Sequence, residues 1–287
     1  MDHNDSMNDG PKHLLRPWSQ AWYDYQKSAL GESACRQLGF YVIPDDTVVS
    51  VIVPFHNEQQ TLQTIVERVA AVPIAKEIIL IDDGSTDDSP QIARRLADEV
   101  GNPNIANNRI RIQTHKTNRG KGEALKTGFA LVSGDVVVLQ DADLEYDPLD
   151  IPRLLQPIME QKADVVYGSR FLGNPSRAGH QAGYFWNTVG NRFLTSLSNA
   201  FTNLKLTDIE TGYKAFTREV VDAIAPSLVS QGFAIEPEIT ARVAREKVRV
   251  YEVPVGYSAR TFAQGKKIRW YDGLEAAWSI VKFGLFD

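Results

Sequence analysis

From Thr47 onward, short apolar runs alternate with longer stretches in which apolar residues recur three and four positions apart. The runs predict strands and the periodic stretches predict helices. Strands are expected at 47–53, 77–81, 109–114, 135–140 and 163–168, with helices at 58–71, 89–100, 121–132 and near 150–161 between them. Asp87 or Asp88 is placed to cap the second of these helices. Repeated strand–helix units at this spacing predict a doubly wound, mostly parallel sheet with right-handed crossovers and helices on both faces. The run 136–139 is apolar at every position, as expected of a central strand buried on both faces.

Beyond Ser169 the pattern loosens. Residues 171–183 are rich in Gly, Pro, Ser and Arg and predict a long loop. Helices are expected at 184–201 and 234–245, an edge strand at 247–254, and a polar loop at 256–268. Residues 270–283 form an amphipathic stretch through Trp270, Leu274, Ala277, Trp278 and Val281. Residues 1–46 precede the alternation and predict an extension with one helix around 19–37. The domains expected are therefore an extension over 1–46, one α/β domain over 47–268, and a C-terminal amphipathic helix over 269–287 that could rest on a membrane.

Composition narrows the classes of function. A net charge of −5 argues against nucleic acid as a partner. One cysteine, Cys35, excludes a disulfide framework and a Cys-rich zinc site. The acidic, polar N-terminus is unlike a secretory signal, and no apolar run of about 18 residues is present, so a cytoplasmic chain is expected. Charge is uneven. Between Arg242 and Arg269 stand eight basic residues against Glu246 and Glu252, which suits an anionic ligand or surface, although a solvated helix face accounts for Arg242–Arg249.

Candidate chemistry collects at the ends of the expected strands. After the first come Pro54-Phe55-His56-Asn57-Glu58, after the second Asp82-Asp83-Gly84-Ser85-Thr86-Asp87, and after the fourth Asp141-Ala142-Asp143-Leu144-Glu145. Open α/β sheets bind ligands outside the C-terminal ends of their strands. In extended chain, residues two apart share a side, so Asp141, Asp143 and Glu145 are expected to converge on one hard cation. Turn and cap formation by these acids is the plain alternative. Neither a Gly-x-Gly-x-x-Gly after the first strand nor a Walker loop is present, so phosphate charge would have to be met by Mg²⁺ or Mn²⁺. Asp82 or Asp83 can accept hydrogen bonds from ribose hydroxyls or a base N–H.

The segments VIVPFHNE (51–58), IDDGSTD (81–87), NRGKGEAL (118–125) and LQDADLEYDP (139–148) together resemble the family 2 inverting nucleotide-sugar glycosyltransferases, whose fold is called GT-A. That resemblance implies that Phe55, Glu58 and Asp83 hold the nucleoside, with Pro54, Asp82, Lys121 and Ala142 beside it. It further implies that Asp141, Asp143 and Glu145 hold the diphosphate-bound metal. In the second half YGSRF (167–171), GNRFLT (190–195), DIETGYKAF (208–216), FAIEPEI (233–239) and EVPVGYSARTFAQGKKI (252–268) resemble the polyprenyl-phosphate hexosyltransferases of the dolichol-phosphate mannose synthase type. This implies that Arg170, Arg177, Arg260 and Lys266 surround the diphosphate and the acceptor phosphate. Two departures stand out: Glu145 occupies a position that is Gln in many such synthases, and C-terminal membrane spans are lacking.

A phosphate acceptor makes independent chemical sense. A sugar hydroxyl needs a general base, whereas a phosphomonoester, with a second pKa of about 6, is already an anion at neutral pH. Arginine forks suit phosphate better than lysine does. The expectation is an inverting, metal-dependent transfer of a hexose from a nucleotide diphosphate sugar, of the GDP-mannose or UDP-glucose type, to a polyprenyl phosphate at the membrane surface. Asp143, Arg170 and Arg260 would be central to it, and either the C-terminal helix or a membrane partner subunit would bring the chain to lipid. A family 2 enzyme acting on a hydroxyl, with Asp208, Glu210 or Glu236 as base, is the alternative, and a non-catalytic nucleotide-binding protein is a third.

Overall fold

Apolar runs become strands here because neighbouring runs satisfy their backbone and helices cover both of their faces. The computed structural model describes residues 15–100, 108–172, 184–260 and 270–285. Two compact units divide the chain, Met1–Asp46 and Thr47–Asp287. In the first, the single helix expected over 19–37 is two: α1 (Gln20–Leu30) and α2 (Glu32–Gln37). The break falls at Gly31, whose φ of +83° is left-handed backbone that favours glycine. Ser19 caps α1, its Oγ accepting from the Trp22 N–H at 3.2 Å.

The second unit is built on seven strands: β1 (Val49–Phe55), β2 (Lys76–Asp82), β3 (Asn108–Thr114), β4 (Val136–Leu139), β5 (Val165–Ser169), β6 (Lys214–Thr217) and β7 (Val250–Pro254). Their order in the sheet is β3-β2-β1-β4-β6-β5-β7. Pairings β1–β2, β2–β3, β1–β4 and β5–β7 are parallel, while β6 lies antiparallel between β4 and β5. The mostly parallel sheet and the edge position of β7 match the sequence-based expectation. Strand β6 does not. Four residues, Lys-Ala-Phe-Thr, are too short and too polar to read as an apolar run, and β6 forms because β4 and β5 both offer it a partner.

Helices α3 (Leu62–Ala71), α4 (Ser89–Val100), α5 (Lys121–Phe129) and α6 (Ile151–Met159) fall in the crossovers, followed by α7 (Tyr184–Thr202), α8 (Arg218–Ile224), α9 (Ile235–Arg245) and α10 (Trp270–Leu285). Ile52, Ile79, Ile81, Val137 and Leu139 pack on one face of the sheet with Leu125 and Phe129 of α5, Leu194 of α7, Ile239 of α9 and Ile280 of α10. The alternate residues Val51, Val53, Ile78 and Leu80 point to the other face, where they are equally buried and α3 and α4 lie against the sheet. Among the described residues no helix is long and apolar enough to cross a membrane.

Helix α5 lies close against the sheet at Gly128, where a Cβ would lie 2.5 Å from Ile52 Cγ2. Gly128→Val should therefore overpack the core and cost about 1–3 kcal/mol. Gly190 of α7 has nothing within 4 Å of a Cβ, so Gly190→Ala should add about 0.5–1 kcal/mol through helix propensity. Urea unfolding midpoints at unchanged m-value test both. A Gly128→Val midpoint equal to wild type would mean that α5 does not pack this tightly.

Candidate active site

Strand order reverses between β1 and β4, which opens a crevice beyond their C-terminal ends. The ends of β1, β2 and β4 bring Glu58, Asp82–Asp83 and Asp141–Glu145 to this edge. Phe55 and Ala142 are buried there, and Pro54 pairs with Ile81 inside the sheet.

Asp83 organises one wall. Its Oδ1 accepts from His115 Nδ1 at 2.7 Å and the Arg119 N–H at 2.9 Å, and its Oδ2 from the Gly120 N–H at 2.7 Å. The carboxylate thus spends its lone pairs on the turn that starts α5. Neighbouring Asp82 is different: Oδ1 accepts from the Ser85 N–H at 2.8 Å, but Oδ2 is buried with no hydrogen-bond partner. A buried acceptor left open at this edge suits a ligand donor such as a base N–H or a ribose hydroxyl. The N-terminus of α5 takes no such ligand. Its Gly122 and Glu123 N–H groups donate to the Gln231 carbonyl, and Gly122 is small enough for the Ser230 carbonyl to press against it. A helix end closed in this way offers phosphate no ready anion site, so charge must be met by cations.

The acid cluster follows from a turn. The strand ends at Leu139, and Leu144 adopts φ +63° while the Glu145 N–H donates to Asp143 Oδ1 at 3.1 Å. The chain is therefore not extended across 141–145, and the three acids do not line up on one side. Asp143 and Glu145 meet Glu58 around Arg260, whereas Asp141 faces Lys121. Arg260 Nη2 lies 3.0 Å from Asp143 Oδ2, Nη1 3.2 Å from Glu58 Oε2, and Nε 3.7 Å from Glu145 Oε1. Among the described residues, no three carboxylates are spaced to hold one ion. The donor set nonetheless fits a hard divalent cation: all oxygens, little exposed, and already gathered about a positive group. Burial, then the charges of Asp141 and Glu145, push the Asp143 carboxyl up to about 7 against the pull of Arg260.

Glu145 is held in turn by β7's extension. Tyr257 donates its hydroxyl to Glu145 Oε2 at 2.6 Å, and the Arg260 N–H donates to Oε1 at 2.9 Å. Arg170, immediately after β5, is committed as a fork: Nε to Asp208 Oδ2 and Nη2 to Oδ1, both at 2.7 Å, with its guanidinium 5.0 Å from the Tyr257 ring. Glu252 of β7 fixes the Asp208 loop by accepting from the Thr207 and Asp208 N–H groups.

Beneath the crevice lies a charge network that sequence reading did not assemble. Lys121 Nζ sits 2.8 Å from Asp141 Oδ1 and 2.9 Å from Glu236 Oε1, and Lys214 Nζ pairs with Glu236 Oε2. Burial raises the Glu236 carboxyl, but the two ammonium groups outweigh it and hold the pKa below the ordinary value. Glu210 has no such pair. It is only partly exposed, its Oε1 is buried without a partner, and burial followed by the Glu236 charge pushes it up to about 7. The spacing Lys-x-x…Glu gave no signal for this network, since its members come from α5, β6 and α9. Arg177 and Lys266 lie outside the described residues.

Ionised Glu210 should weaken the fold. Its native pKa lies above the ordinary value, so the cost is absent below the ordinary carboxylate range, grows as pH rises from there to about 7, and is full above it. Glu210→Gln should raise stability by about 1–2 kcal/mol near pH 8 and by almost nothing near pH 4.5. Thermal unfolding at the two pH values checks this; a variant less stable than wild type near pH 8 would contradict it.

Comparison with known proteins identifies the fold and the family. The chain is 31% identical over 222 residues to the undecaprenyl-phosphate 4-deoxy-4-formamido-L-arabinose transferase of Sodalis glossinidius. It is 30% identical over 219 residues to the glycosyltransferase AglD of Haloferax volcanii. These alignments take in 76% and 74% of the chain but only 62% and 33% of those relatives. Among solved structures, the fold matches glucosyl-3-phosphoglycerate synthase of Mycobacterium tuberculosis, in complex with Mn²⁺, uridine diphosphate and phosphoglyceric acid, at a TM-score of 0.62 and 18% identity over 96% of this chain and 86% of that one. It also matches the mannosyltransferase PcManGT of Pyrobaculum calidifontis, in complex with GDP-Man and Mn²⁺, at 0.53 and 18% over 93% and 79%. The GT-A fold is thus established, and with the profile of the family described as glycosyl transferase family 2 matching residues 50–225, the chain belongs to that family.

Proposed function

We propose that the protein transfers a hexose from a nucleotide diphosphate sugar to a polyprenyl phosphate, with inversion at the sugar carbon. The observation that carries this reading is a crevice in which carboxylates and arginines face each other while the nearest helix N-terminus is closed by a carbonyl. A nucleotide diphosphate placed there finds cations, not a phosphate loop. The name of the Sodalis relative specifies a polyprenyl-phosphate acceptor, and the two structural neighbours hold Mn²⁺ with UDP or GDP-Man, which supports the same direction.

Asp143 and Glu145 would hold Mg²⁺ or Mn²⁺, with Asp141 joining them only on leaving its pair with Lys121, and the ion when bound would neutralise charge on the leaving diphosphate. The chain's own residues do the rest. Asp82 Oδ2 is open to a donor on the nucleoside, and Glu58 and Asp83 hold the walls around it. Arg260 and, through its remaining N–H groups, Arg170 face the phosphates. The acceptor phosphate attacks from the opposite side as an anion and needs no base. The closing loop expected over 171–183 lies, from residue 173 on, outside the described residues.

A hydroxyl acceptor would instead need a base, and the three candidates are unequal. Asp208 is forked to Arg170 and Glu236 is paired with two lysines, which leaves Glu210. Purified protein incubated with a panel of sugar nucleotides, Mg²⁺ or Mn²⁺ and a short polyprenyl phosphate decides between the two. Asp143→Ala should lose transfer by more than about a hundredfold, while Glu210→Gln should keep it within a few-fold. Full turnover by Asp143→Ala would overturn the metal assignment, and a loss of about a hundredfold in Glu210→Gln would favour the hydroxyl reading.

We further propose a peripheral site on the inner face of the cytoplasmic membrane. Leu274, Trp278 and Leu285 form an exposed apolar stripe on α10, and Val189 and Phe193 are exposed on α7, which packs beside it. Arg192 and Lys282 flank these residues, as expected for contact with anionic lipid. Leu274→Glu with Trp278→Glu should reduce sedimentation with protein-free anionic vesicles by about tenfold or more without lowering the thermal midpoint. Wild type that ignores such vesicles would point to recruitment by a membrane partner subunit.

A further inference from the structure

Arg260 uses the oxygens that a divalent ion would need. Its guanidinium reaches Asp143 Oδ2 at 3.0 Å, Glu58 Oε2 at 3.2 Å and Glu145 Oε1 at 3.7 Å. The other oxygen of Asp143 already accepts the Glu145 N–H at 3.1 Å. Of the two Asp143 oxygens, Oδ2 is the one without a backbone donor, so an ion binding there takes it from Arg260 or shares it, and a guanidinium and a divalent ion sharing one carboxylate oxygen repel each other.

The backbone lets the side chain leave without moving its tether. Ser258 N–H donates to the Glu145 carbonyl at 2.9 Å, Arg260 N–H to Glu145 Oε1 at 2.9 Å, and Tyr257 OH to Glu145 Oε2 at 2.6 Å. Gly256 N–H is held by Asp150 Oδ2 at 2.7 Å. With residues 256–260 strapped at four points, a change of side-chain rotamer is the cheapest way to clear Asp143. A guanidinium so released is a two-pronged donor beside the expected diphosphate, whose oxygens match its geometry.

We infer that Arg260 is a resident counter-cation of the acid cluster that gives way to the metal and moves onto the nucleotide's diphosphate, so that metal and nucleotide bind cooperatively. The inference rests on the metal-dependent reading above. It assigns Arg260 two successive partners. Metal alone pays for displacing Arg260, whereas metal arriving with a nucleoside diphosphate does not, and by linkage each ligand strengthens the other equally.

Binding of Mn²⁺, followed by electron paramagnetic resonance of the free ion and by calorimetry, tests this without any turnover. Arg260→Gln should bind Mn²⁺ alone roughly tenfold more tightly than wild type, and the gain in Mn²⁺ affinity on adding GDP or UDP should shrink by a similar factor. Arg260→Lys keeps a charge but lacks the fork, and should fall between the two, which guards against misfolding of the glutamine variant. Arg218→Gln, which breaks an exposed pair with Asp222 away from the cluster, should behave as wild type. Equal or weaker Mn²⁺ binding by Arg260→Gln, where wild type binds the ion, overturns the exchange and leaves the metal reading standing. Failure of wild type and every variant to bind Mn²⁺, with or without a nucleoside diphosphate, overturns both.

Discussion

Carboxylates gathered at the end of a parallel sheet must be balanced by positive charge, and among the described residues four balancing cations arrive from four different elements. Lys121 comes from the start of α5, Lys214 from β6, Arg170 from the end of β5 and Arg260 from the extension of β7. A buried ion is expensive unless paired and hydrogen-bonded. The crevice can therefore exist only once the sheet is complete on both sides of β4.

Strand β6 shows how that constraint reaches the fold. It enters antiparallel between β4 and β5 and carries Lys214, wholly buried, under the crevice. Its ammonium meets Glu236 of α9, whose other oxygen meets Lys121, whose ammonium also holds Asp141. Gly212 sits against Asp141, and a Cβ there would lie 2.1 Å from Asp141 Oδ2. The segment before β6 is thus pressed onto the first acid of the cluster. Orientation of Asp141 is a property of β6, α5 and α9 together.

The same bookkeeping separates support from chemistry. Asp83 accepts three hydrogen bonds, from His115, Arg119 and Gly120, and Asp208 accepts three from Arg170 alone. Among the described residues, groups that keep unfilled capacity include Asp82 Oδ2 and Glu210 Oε1. Those are the places where a ligand gains most by binding, because a buried polar atom without a partner is costly to leave as it is. The Gln231 carbonyl at the head of α5 takes the N–H groups that a helix terminus would otherwise offer an anion.

Local pattern alone determined the alternation of strands and helices, the parallel core of β1 to β4, and the strand ends at which Glu58, Asp82 and Asp141–Glu145 emerge. These depend on hydrophobic period and on the rule that ligands meet the C-terminal edge, both of which are written in short stretches of chain. Gly31 and Leu144 lay beyond that reach: one broke a helix read as continuous, the other turned a supposedly extended acid run so that Asp141 and Asp143 face different cations. Strand β6, the Lys121–Glu236–Lys214 network and the seat of Arg260 were decided by tertiary structure. Each joins residues roughly twenty to two hundred positions apart through charge pairing in a buried setting, and such pairing has no period for a sequence to display.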